Sequence, residues 1–173
     1  MVVTGIFMIL SGVVLSTNAR FGNLIVLQNL AHDMALSVRQ AQVYGIAVRR
    51  YQGVNFDVGY GIHITQPAED ALSSYVLFGD VNQNGVFDTG ETVTSTTLNG
   101  GYRIANICAR AMNGIETCSL SQLSMLFRRP EPDAMIRRSA GATLDDRARI
   151  VLQSRSGEQS EVIVEASGQI SVQ

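Results

Sequence analysis

Phe21–Gly45 reads FGNLIVLQNLAHDMALSVRQAQVYG, and within it Leu24, Leu27, Ala31, Met34, Val38 and Ala41 recur at alternating steps of three and four. Such spacing keeps side chains on one side of a helix with about 3.6 residues per turn. Asn23, Gln28, Asp33, Arg39 and Gln42 fall mostly elsewhere, so the stretch predicts an amphipathic helix. Upstream, Met1–Leu15 (MVVTGIFMILSGVVL) carries no charge and only Thr4 and Ser11 as polar side chains. That run is shorter than the ~18 to 20 residues a bilayer-spanning helix needs. It also lacks the basic start and the small-residue break of a secretory signal. Helix from near the start to about Gly45 would measure ~65 Å at 1.5 Å per residue, longer than a small domain is wide. The reading is a helix whose outer part sits in lipid or among identical helices and whose inner part is a spine for a globular head.

After Arg49 and Arg50 the apolar period changes to two and turn residues multiply. Val54–Ile64, Ser74–Phe78, Thr92–Leu98, Tyr102–Cys108, Ser124–Phe127, Ala148–Leu152, Glu161–Glu165 and Gln169–Val172 read as strands, with Gly157 and Gly168 at the last turns. Pro130–Pro132 and Ser139–Asp146 read as loops. The expected fold is α+β: a long N-terminal helix, apolar first and amphipathic second, packed on a β-rich antiparallel head. The expected organisation is 1–22 as the apolar membrane or filament-core part, 23–50 as the spine and 51–173 as the head. A chain of 173 residues with 46% apolar and 16% charged residues suits one ordered domain. Its net charge of -2 leaves a nucleic-acid role dependent on a local basic patch.

Three segments carry a family resemblance. GIFMILSGVVLSTNARFGN (5–23) resembles the run just inside a class III signal. LQNLAHDMALSVRQAQVYGIAVR (27–49) looks like the second half of the helix in minor pilins and pseudopilins of the FimT/GspH-like group. ARIVLQSRSGEQSEVIVEASGQISV (148–172) resembles their C-terminal hairpin. The chain is thus similar to the type IV pilin superfamily, and the resemblance implies a structural filament subunit rather than an enzyme. It implies a pilin-like fold, a single-pass helix in the cytoplasmic membrane with the head outside the cytoplasm, and an extracellular or periplasmic filament on assembly. Implied partners are other pilin or pseudopilin subunits met through the helix, the prepilin peptidase and the assembly platform. Family members begin with a cleavage-site glycine, a methylated phenylalanine and a glutamate at the fifth mature position. Met1–Gly5 has none of these, so the expectation is that the chain starts inside the helix.

Asp80–Glu91 reads DVNQNGVFDTGE and fills each place of a twelve-residue calcium-loop template. Asp80, Asn82 and Asn84 offer side-chain oxygens on alternate residues, Gly85 takes the sharp turn, Val86 offers its carbonyl, Asp88 binds directly or through water, and Glu91 closes the shell with two oxygens. An all-oxygen set suits a hard cation. The flanks SSYVLFG and TVTSTTL read as strands, so calcium would be structural, ordering a loop whose carboxylates otherwise repel one another. The plainer reading is an Asn/Gly-rich turn.

Cys108 and Cys118 flank ARAMNGIET. A three-residue loop Met112-Asn113-Gly114 would set Cys108 opposite Cys118, whereas a two-residue Asn-Gly turn would shift the register and separate them. A disulfide suits an exported domain, and two free thiols are the alternative. No catalytic constellation is legible. His32 lies on the helix, His63 on a strand, and Glu131, Asp133, Asp145 and Asp146 read as solvated loop acids. Arg128, Arg129, Arg137, Arg138, Arg147, Arg149 and Arg155 could meet phosphates in DNA uptake or serve adhesion, although acidic residues are interleaved.

Overall fold

The computed structural model describes residues 2–47, 58–66 and 72–173, with side chains of 14–21 outside the description. The expected strand start at Val54–Asp57 lies outside the described residues, as do positions 48–57, where the expected spine gives way to the expected head.

Among the described residues one helix, α1 (Val2–Ile46), precedes ten strands: β1 (Gly59–Thr65), β2 (Ser74–Asp80), β3 (Thr92–Thr97), β4 (Arg103–Ala111), β5 (Glu116–Thr117), β6 (Gln122–Phe127), β7 (Ala134–Arg137), β8 (Asp145–Gln153), β9 (Gln159–Glu165) and β10 (Ile170–Val172). All pairings are antiparallel, in the order β10-β9-β8-β7-β6-β1-β2-β3, with β4 and β5 branching from β8. The β7–β8 link is a single pair, Ile136 with Asp145. The sheet therefore behaves as two leaves, β7-β6-β1-β2-β3 and β10-β9-β8-β4-β5. A second tie comes from the segment before β2, where the buried Ser73 hydroxyl accepts the Ile104 N–H at 2.9 Å and its carbonyl accepts the Leu98 N–H at 2.8 Å.

The expectation of an α+β fold, with a long helix packed along a β head in pilin-like fashion, is corrected here. The fold is mostly β, a large antiparallel half-barrel, and only a helical stretch of about 25 residues belongs to it. From Leu27 to the Gly45 crossing the helix rises ~27 Å, comparable with the ~23 to 30 Å of strands of seven to nine residues. Leu27, Ala31, Met34, Val38 and Ala41 are fully buried against Ile62, Ile64, Met125, Phe127, Ile150, Val162 and Val164. Leu24, expected on that face, is exposed, because the packed stripe begins one turn later. Val2, Val3, Ile6, Phe7, Met8, Ile9, Leu10 and Val13 are all exposed. The packed stretch ends where Gly45 crosses β6 so closely that an added Cβ would stand 2.3 Å from the Phe127 carbonyl oxygen.

Two strands were not legible in the sequence. β5 is two residues long, and β7 sits between proline-rich and Gly/Ser-rich segments that signal loops. The expectation that Ser139–Asp146 is loop throughout is corrected at its end, since β8 begins at Asp145.

Candidate metal centre

Asp80 ends β2 and Glu91 immediately precedes β3, so one antiparallel pair supplies both ends of the candidate loop. Asp80 and Glu91 are buried; Asp88 is exposed. Asp80 accepts the N–H of Asn84 on Oδ1 at 3.1 Å and that of Gly85 on Oδ2 at 3.0 Å. Glu91 Oε1 accepts the N–H of Val81 at 2.9 Å and of Asn82 at 3.4 Å, while Oε2 accepts the N–H of Asp88 at 3.0 Å. The side-chain amides of Asn82 and Asn84 both donate to Asp88 Oδ2, at 2.7 and 2.6 Å. Asn82 Oδ1 accepts the Asn84 N–H and Asn84 Oδ1 the Val86 N–H, each closing a tight local turn. Gly85 has φ +81°, a conformation that glycine adopts without the strain a Cβ brings.

Each carboxylate thus holds loop donors. The three do not gather around one point: the one cluster of three such groups with ligand atoms within 4.8 Å among the described residues is Cys108, Glu116 and Cys118. The donor set still fits a hard divalent cation in its chemistry, being oxygen throughout with two carboxylates buried. Burial, and then the Glu91 charge, push the Asp80 pKa up, while N–H groups of Gly85, Asn84 and Gln83 oppose the shift. A cation would relieve both penalties. Asp80, Asn82, Asn84, Val86, Asp88 and Glu91 remain the residues that would hold it.

The contacts that fasten the loop to the sheet had no signal in the sequence. The ring of Phe87, within the loop, lies 5.1 Å from His63 in a tilted contact and 5.7 Å from Phe78 edge-on. Arg137, from β7, lies over Gly85 so closely that its Nε would be 2.8 Å from an added Cβ. His63 Nδ1 is 2.8 Å from the Ser124 hydroxyl, both buried, and burial lowers the His63 pKa. His32 is exposed.

Cys108 and Cys118 form a disulfide. The hairpin has the three-residue register: the N–H of Ala111 donates to the Ile115 carbonyl, Ala109 faces Thr117, and Gly114 has φ +84°. A bridged pair offers no thiolate, so the cluster with Glu116 is not a metal site. Arg149 lies against it, with Nη2 2.6 Å from Glu116 Oε2 and 3.5 and 3.6 Å from the two sulfurs.

The reading of Asp145 and Asp146 as solvated loop acids is corrected. Asp145 is buried, and both its oxygens accept from Arg138, at 2.7 and 2.9 Å; Asp146 pairs with Arg110. Arg147 pairs with Glu165, and Arg149 with Glu116 and Glu161. These cross-strand pairs spend arginine charge inside the protein rather than leaving it for phosphates. Among the described residues no helix is long and apolar enough to cross a membrane. No family model, curated protein or solved structure matches this chain.

Proposed function

We propose that this protein is a structural subunit, of the minor pilin or pseudopilin kind, of a type IV pilus or type II secretion-like filament. It waits in the cytoplasmic membrane with its head outside the cytoplasm, and calcium stiffens that head. The observation that carries the reading is the outer helix: Val2–Val13 exposes large apolar side chains all round, with no surface of the head covering them among the described residues. In water such a surface is costly, at about 25 cal/mol per Å². It is relieved in lipid or among like helices, where van der Waals packing replaces solvent. The resemblance of residues 5–23, 27–49 and 148–172 to pilin segments suggests the kind of filament, and the disulfide suits an exported head.

The test is site-directed cross-linking of the full chain in membranes, with single cysteines replacing Ile6 or Leu10 and, as control, Leu36, which is exposed on the packed stretch. Copies linked through positions 6 and 10 but not through 36 support assembly by the outer helix. A chain that stays monomeric in water without detergent, and links at none of them, overturns it.

A further inference from the structure

Among the head arginines, Arg110, Arg138, Arg147 and Arg149 each pair with carboxylates, whereas Arg103, Arg137 and Arg155 have no carboxylate at ion-pair distance among the described residues. Arg137 lies over Gly85 and donates to the Ala142 carbonyl at 2.8 Å. Arg103 and Arg155 share a polar cleft of about 330 Å³ with Gly101, Gln153, Ser154 and Gly157. Arg103 donates from Nε and Nη2 to Gln153 Oε1, at 3.2 and 2.8 Å, which orients a guanidinium that keeps further N–H groups. Arg155 lies over Gly101, its Nε 3.0 Å from where a Cβ would stand. The acid of this neighbourhood is Glu158, whose carboxylate accepts the Ser154 hydroxyl.

The cleft is placed beside the root of the outer helix. Asn23 Nδ2 donates to Ser156 Oγ at 2.8 Å, and the Tyr102 hydroxyl donates to the Asn23 carbonyl at 3.4 Å. Ser156 follows Arg155 and Tyr102 precedes Arg103, so the backbone that carries both arginines passes beside the point where α1 leaves the sheet. Leu15, the last residue of the apolar run, is eight residues before Asn23, or ~12 Å along the axis. A polar layer of ~5 to 7 Å flanks each side of a bilayer's hydrocarbon core, so a guanidinium reaching back from the root arrives at headgroup depth.

We propose that Arg103 and Arg155 form a docking surface for the phosphates of anionic lipids, seating the head on the membrane while the outer helix is in lipid. This rests on the membrane-held subunit reading above. The occupant is committed by charge and position: two guanidiniums without carboxylate partners at the root of an apolar helix face headgroups when that helix inserts. Guanidinium matches phosphate oxygens bidentately, and Gln153 holds the Arg103 fork in place while Arg155 lies over Gly101.

The test is partitioning of the full chain into vesicles of phosphatidylcholine alone or mixed with phosphatidylglycerol. Wild type is compared with Arg103→Gln, Arg155→Gln, the double variant, and Arg39→Gln, an exposed arginine sixteen residues along the helix from Asn23. A basic residue near an anionic surface contributes ~1 kcal/mol, so each variant should lose roughly fivefold in partitioning to the anionic vesicles. The double variant should fall to the neutral-vesicle level with an unchanged melting temperature, and Arg39→Gln should lose nothing. Equal partitioning of wild type and double variant, or an equal loss in Arg39→Gln, overturns the docking surface. So does abolition of the anionic preference by inorganic phosphate but not by chloride at equal ionic strength, which would make the cleft a free-anion site. Failure to enter either kind of vesicle overturns the subunit reading itself, a result distinct from the others because neutral vesicles need no arginine.

Discussion

His63 is where a single residue makes the structure answer to pH. Its ring is buried between Ser124 and Phe87, and burial holds its pKa below 6.5. The unfolded chain therefore binds the proton at a pH where the folded chain does not, and stability falls as pH drops below 6.5 towards the folded value. Denaturant unfolding followed from about pH 7.5 to pH 5 should show that loss, and His63→Gln should flatten it over the same window. A slope unchanged in the variant would mean that another group is responsible. The sequence placed His63 on a strand, but its neighbours Ser124 and Phe87 come from 61 and 24 residues away and carry no local signal.

At the scale of elements, the loop between β2 and β3 was legible almost to the residue, because its turn glycine and alternating oxygens are local requirements. The arrangement of those oxygens was not, since it depends on which N–H groups each carboxylate captures. Asp80 and Glu91 hold backbone donors, whereas Asp88 holds only side-chain amides among the bonds described. Asp88→Asn is therefore the variant that lowers the loop's charge with least harm to its backbone. Calcium at a hundred times its dissociation constant should stabilise the wild-type chain by ~2.7 kcal/mol over chelator, read as a rise in melting temperature. Asp88→Asn should keep the chelator melting temperature and lose most of the rise. No calcium effect in the wild type would reduce the stretch to a polar turn closed by its own amides.

For the whole molecule, the same helix is buried along one part of its length and exposed along another. Met34 is fully buried among residues of both leaves, so Met34→Ala should cost about 2 to 5 kcal/mol of unfolding free energy. Leu10 is exposed, so Leu10→Ala should leave the melting of the head unchanged while weakening association between copies, measured by sedimentation in detergent. Equal effects of the two substitutions on melting would mean that the outer helix folds onto the head. What the sequence by itself determined was whatever depends on neighbours along the chain: the helical stripe from Leu27 to Ala41, the period-two strands, and the turn at Gly85 between β2 and β3; the register of the Cys108–Cys118 hairpin, left open between two alternatives, was settled by the structure. Only the tertiary structure decided how far the helix belongs to the fold, that Asp145 is buried on Arg138, and which arginines are left without carboxylates. Those depend on strands brought together across the chain, where the length of the sheet limits the helix it can cover. There the proximity of opposite charges, which no local spacing encodes, settles which groups are paired.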